Sequence, residues 1–220
     1  MRYIALDLDH WNKNTCLKIA RHEKERSLPD KTGIIALTKN NLAAVPDYLK
    51  DENIFDYLIS ADGAEIRSLK EGDLLYSNYL SADTTQILRR VLNKTKVVLE
   101  VQVNGRIYVE RKSYRKINNK QMTRGRSWKG VEPVYGVIHL LELFSDRIEM
   151  VKITSQSESR LMELGLLLED SLSDDQGDII RGRNHIEIRP EGNSKFTALE
   201  IMQKKLNIDK QDIVFIPSRS

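Results

Sequence analysis

Two aspartates one residue apart, Asp7 and Asp9, follow an apolar run from Tyr3 to Leu6. Side chains alternate along a strand, so both carboxylates leave it on the same side. In an open α/β sheet, ligands gather just beyond the carboxyl ends of the strands. Paired carboxylates at such a point suit a divalent cation, phosphate chemistry, or both. For that spacing alone, a strand running into a polar turn is an equal reading. A second apolar run, Ile34 to Leu37, ends at Thr38, and a late helical pattern opens with Lys195. A cation at a helix N-terminus opposes the macrodipole, so Lys195 has an electrostatic reason to be there only beside an anion. His22, His139 and His185 are scattered and have no metal-ligand spacing to one another.

These residues need elements to hold them. Tyr3–Leu6, Ile34–Leu37 and Tyr57–Ile59 read as three short buried strands. Charged residues from Lys18 to Ser27, and Asn41 to Lys50 with Leu42, Val45 and Leu49 at helical spacing, read as the helices between them. Strands alternating with helices predict right-handed βαβ units and a parallel sheet. From about Ser81 the texture changes. A helix (Thr84–Leu92), two alternating strands around Asn104-Gly105, a helix from Glu158 to Glu169 and a strand from His185 to Arg189 make an α+β insert. The first texture then returns, as a helix from Lys195 to Leu206 and a buried strand from Ile213 to Ile216. The expected organisation is a discontinuous core (1–80 and 190–220) with a cap inserted at 81–189.

With 220 residues, 40% of them hydrophobic and 30% charged, the chain has the composition of a soluble globular protein large enough for a core and an insert. No apolar run approaches a bilayer-spanning length. The opening residues enter a strand without a basic-then-apolar leader, which points to the cytoplasm. Cys16 is the single cysteine, so an internal disulfide and a cysteine-rich metal site are excluded. A formal charge of +3 permits anionic ligands without requiring nucleic acid.

The order Asp7-x-Asp9, Thr38, Lys195 and a last buried strand resembles the haloacid dehalogenase-like (HAD) phosphatases. The closer likeness is to the Cof-type branch, with its large α+β cap. Its best segments are Ile4–Asp9, Tyr57–Ile66 and Ile186–Lys195. The resemblance implies a HAD-like Rossmannoid parallel sheet and a magnesium-dependent phosphohydrolase working through an aspartyl-phosphate. Asp7 would be the nucleophile and a Mg2+ ligand. Asp9 would exchange the proton with the leaving oxygen and with water, its carbonyl also on the metal, and that role calls for a raised pKa. Thr38 and Lys39 would bind the phosphoryl oxygens. Lys195 would hold Asp7 and the phosphate together against their repulsion. The substrate would be a small phosphorylated metabolite such as a sugar phosphate, covered by the cap.

Some positions depart from that pattern. His10 and Trp11 stand where a glycine and a threonine are usual, and an indole there would crowd the tight turn. After the last strand, Pro217-Ser218-Arg219-Ser220 stands where a Gly-Asp pair would complete the metal site. The second reading is therefore a catalytically impaired pseudophosphatase that binds a phospho-ligand or a protein. The Ile213–Ile216 strand would form an open edge, which suggests a homodimer. The basic run Arg111–Lys129, interleaved with Tyr114 and Trp128, lacks the Gly-aromatic signature of an RNA-binding sheet. It reads instead as a solvated cap loop, with Arg124 and Arg126 recruiting anionic esters.

Overall fold

The computed structural model describes residues 2–9, 11–26, 32–51, 53–93, 95–114 and 130–218. His10, Arg124 and Arg126 lie outside them. The chain opens with β1 (Arg2–Asp7), α1 (Lys13–Arg26), β2 (Thr32–Leu37), the single turn α2 (Tyr48–Asp51), β3 (Tyr57–Ser60), β4 (Glu65–Ser68) and β5 (Leu74–Ser77). It continues through α3 (Ala82–Leu92), β6 (Val98–Val103), β7 (Arg106–Glu110), β8 (Val131–Val134), α4 (Leu140–Leu143), β9 (Ile148–Thr154), α5 (Glu158–Ser171), β10 (Asp178–Arg181) and β11 (His185–Arg189). It closes with α6 (Lys195–Leu206) and β12 (Ile213–Ile216). The chain divides into two compact units, Met1–Asn78 with Asn193–Ser220, and Tyr79–Gly192.

The first unit is built on a sheet of order β12-β1-β2-β3-β4-β5. Its first four strands are parallel and the last two antiparallel. β1 is apolar from Tyr3 to Leu6 because both its faces are covered there. Ile4 and Leu6 pack with Cys16, Leu17 and Ala20 of α1. Tyr3 and Ala5 pack with Ala198, Leu199 and Met202 of α6. Helices on both faces of a largely parallel sheet make this the expected Rossmann-like α/β architecture.

Local chemistry moved several boundaries. α1 starts at Lys13, ahead of the charged stretch that suggested it, because the Asn12 carboxamide accepts from the Thr15 N–H at 3.0 Å. The helix expected over Asn41–Lys50 is broken in two. Asn41 caps a 3-10 turn at Leu42–Ala44, accepting from the Ala44 N–H, and α2 begins only at Tyr48. Pro46 is the cause: the residue before a proline avoids the helical region, and Val45 is extended at φ −61, ψ 133. β4 and β5 had no counterpart in the sequence reading, being four residues each with a register shift between Ile66 and Arg67.

The second unit holds a sheet of order β10-β11-β9-β6-β7-β8, antiparallel except between β7 and β8. Asn104 and Gly105 sit at φ 53 and 72, as a two-residue type I′ hairpin requires. Leu88 and Leu92 of α3, and Leu161, Leu164 and Leu168 of α5, cover Leu99, Val101, Val103, Val151 and Ile153 of the sheet. Glu187 on β11 is buried and accepts from Lys152 Nζ of β9 at 2.5 Å and from the Arg189 guanidinium. Burial alone would raise its pKa, but the two cations more than reverse this and hold it below the ordinary glutamate value. No helix among the described residues is long and apolar enough to cross a membrane.

Candidate active site

Parallel register brings three chain ends together. β1 and β2 are paired up to Asp7 and Leu37, and β2 and β3 up to Leu37 and Ile59. The ladder continues one step, with the Leu8 N–H donating to Leu37 O and the Thr38 N–H to Ile59 O, both at 2.9 Å. With neighbouring strands about 4.8 Å apart, Asp7, Thr38 and Ser60 therefore line one end of the sheet.

Lys195, the first residue of α6, reaches this end from the far side of the sequence. Its Nζ lies 2.7 Å from Asp7 Oδ2 and 2.7 Å from Asp9 Oδ2. Asp7 Oδ1 accepts from the Asp9 N–H at 3.1 Å. Asp9 Oδ1 accepts from Thr38 Oγ1 at 2.8 Å and from the Lys39 N–H at 3.0 Å. The structure thus gathers Asp7, Asp9, Thr38 and Lys195 in one cluster. Lys39 contributes its main chain, while its side chain is exposed.

The electrostatics follow from this crowding. Burial alone would lower the Lys195 pKa, but hydrogen bonds to the two carboxylates raise it above the ordinary lysine value. Burial alone would raise Asp9, but Lys195, Thr38 and the Lys39 N–H outweigh it and hold this carboxyl below the ordinary aspartate value. The raised Asp9 pKa expected from the sequence is corrected accordingly: in this arrangement Asp9 is ionised. Trp11 is also reinterpreted. Its indole packs onto the hydrophobic layer that includes Leu8, Cys16 and Leu17. Its Nε1 is buried with no hydrogen-bond partner among the described residues.

The connection after β3 went without a role in the sequence reading. Ala61, Asp62 and Gly63 all have left-handed φ values of 50, 54 and 106. The Ala61 N–H donates to Asn40 O at 2.8 Å and the Asp62 N–H to Thr38 O at 3.3 Å. The Asp-Gly pair was the visible signal, since both residues tolerate that backbone region better than most.

Hard oxygen donors suit magnesium, which often takes only one or two carboxylates and completes its shell with water and substrate phosphate. Asp7, at the end of β1, offers one carboxylate of that kind. Among the described residues no group of three or more His, Cys, Asp or Glu side chains converges.

Comparison with known proteins places this geometry. The family model of haloacid dehalogenase-like hydrolases matches residues 30–216. No curated protein sequence matches the chain. Among solved structures, TM0651 from Thermotoga maritima is similar with a TM-score of 0.74 at 20% identity, covering 97% of this chain and 78% of that one. A haloacid dehalogenase-like hydrolase from Bacteroides thetaiotaomicron gives 0.73 at 14% identity, over 99% and 81% of the two chains. The HAD subclass IIB sugar phosphatase BT4131 gives 0.69 at 12% identity, over 98% and 80%. With a family match over most of its length and the fold to go with it, the chain belongs to the haloacid dehalogenase-like hydrolases.

Proposed function

We propose that this hydrolase is a magnesium-dependent phosphatase of small phosphorylated metabolites, sugar phosphates foremost, and that it works through an aspartyl-phosphate on Asp7. The observation that carries the reading is the single ammonium group of Lys195 placed 2.7 Å from both Asp7 and Asp9. A carboxylate that attacks a phosphate ester needs nearby positive charge to overcome their mutual repulsion. Sugar phosphates are favoured because one protein of the same fold is a sugar phosphatase.

In the first half-reaction, Asp7 forms a bond to phosphorus and the ester P–O bond breaks, while Asp9, having first taken a proton from solvent water, passes it to the leaving oxygen. Lys195 holds Asp7 in line and neutralises charge as it builds on the phosphoryl oxygens. Thr38 Oγ1 keeps Asp9 oriented. In the second half-reaction, water attacks the phosphorus, the bond from Asp7 to phosphorus breaks to free the carboxylate and release inorganic phosphate, and Asp9 takes the water's proton. Its ionised resting state suits that role. Two carboxylates, one ammonium and a phosphate dianion leave a net negative charge. Magnesium bound through Asp7 and the Asp9 carbonyl would supply the missing positive charge at the phosphoryl oxygens.

A pseudophosphatase that binds a phospho-ligand is the second reading, favoured by the small number of acidic side chains at the site. Hydrolysis of p-nitrophenyl phosphate and a panel of sugar phosphates, with magnesium and with EDTA, separates the two. Metal-dependent turnover that falls at least about 10³-fold in Asp7→Asn is the expected result. Turnover that survives Asp7→Asn would remove the nucleophile assignment. No turnover, with inorganic phosphate still bound, would establish the second reading.

A further inference from the structure

Lys195 is useful only if the start of α6 is held at the right height above the sheet. The covalent path from Asp7 to Lys195 is long, so non-covalent contacts must set that height. Two of them converge on the same few atoms. A Cβ on Gly63 would overlap the Ser194 carbonyl and lie 3.2 Å from the Lys195 nitrogen, so the loop after β3 and the start of α6 touch backbone to backbone. The Asn193 carboxamide, oriented to satisfy both of its ends, donates to Gly63 O and accepts from the Ala64 N–H, each at 3.2 Å.

The same loop grips the other side of the site through Thr38 O and Asn40 O. Its left-handed residues thus form a bracket with Thr38 on one arm and Lys195 on the other. A non-glycine residue at positive φ is uncommon, and Ala61 lacks a polar side chain that would favour it. Such conformations persist where surrounding contacts over-determine them.

We propose that Asn193 and the Ala61-Asp62-Gly63 bracket are positioning residues that set Lys195 between Asp7 and Asp9. This rests on the phosphatase reading for its effect on rate, but the placement itself does not. Asn193 touches neither carboxylate in the described contacts and acts through the helix it pins. Misplacement of a catalytic group by about 1 Å can cost about 10²-fold in rate.

The test is Asn193→Ala, with Asn193→Asp and Gly63→Ala beside it. Asn193→Asp keeps an oxygen facing the Ala64 N–H and loses the donor to Gly63 O. The expected result for Asn193→Ala is a kcat about 10–100-fold lower, a KM for p-nitrophenyl phosphate within about threefold of wild type, and an unchanged fold at the assay temperature. Asn193→Asp should fall between that variant and wild type. An unchanged kcat, or a loss fully accounted for by unfolding, overturns the proposal. Because Gly63→Ala must displace α6 or unfold, Asn193 carries the decision. If the wild type hydrolyses no phosphate ester, the phosphatase reading fails by itself. A crystal structure of Asn193→Ala then decides the placement. Lys195 Nζ displaced by about 1 Å or more from either carboxylate supports the proposal, and Nζ still 2.7 Å from both overturns it.

Discussion

Lys195 Nζ stands between two carboxylates that would otherwise face each other with only neutral hydrogen-bond donors beside them in the described contacts. Lys195→Met should therefore lower stability as well as rate. The expected destabilisation is about 2–3 kcal/mol in urea denaturation, under the fully buried range because the side chain keeps some solvent contact. The expected loss in kcat is about 10²–10³-fold. A variant as stable and as active as wild type would mean that the cluster is incidental. The aspartate spacing that marks this site was legible because it depends on residues two apart. Asp9's lowered proton affinity was not legible. It is set by donors 29 and 186 positions away, which no local pattern encodes.

At the scale of single elements, α6 opens with a cation, against its own dipole, and needs its other start signals intact. Ser194 supplies the main one by accepting from the Thr197 N–H at 3.0 Å. Ser194→Ala should cost about 1 kcal/mol by chemical denaturation, with hydrogen exchange rising in the first turn of α6 before the rest of the helix. α6 matched the apolar pattern that suggested it, since one face is packed, whereas β12 formed where expected but only partly buried, because it lies at the edge of its sheet. The segment between β2 and β3 did not, because the spacing of Leu42, Val45 and Leu49 ignores what Pro46 imposes on Val45. β4 and β5 escaped notice because Glu65, Arg67 and Ser68 mask a strand whose buried Ile66 faces α6 residues. In the second unit, Glu187 provides a titration test. Its folded pKa is depressed, so its contribution is present above the unfolded value near pH 4.5 and is lost as pH falls through the lower folded value. Urea denaturation should show wild type more stable than Glu187→Gln at pH 7, by about 2 kcal/mol, with the gap closing on acidification below about pH 4. A gap independent of pH would contradict this.

Across the whole molecule, Tyr79–Gly192 is continuous in sequence and has its own hydrophobic cluster, whereas the other unit is assembled from two separated stretches. We expect the fragment 79–192, expressed alone, to give dispersed NMR spectra and one cooperative melt. A chain that stays collapsed and unstructured would show that its core needs the first unit. The division between βαβ and α+β texture was readable because continuous apolar runs, buried on both faces, differ in pattern from the alternating strands of the second sheet.

β1 lies inside its sheet, yet one of its two neighbours, β12, comes far later in the chain, after the whole of the second unit. Until residues 213–216 leave the ribosome, one edge of β1 has no permanent partner. Until α6 emerges, shortly before β12, Tyr3 and Ala5 lack their cover. β1 thus waits for a partner while the intervening unit is made, and that unit has time to mature first. A nascent chain of this protein should bind a chaperone through β1 and release it only once α6 and β12 have emerged.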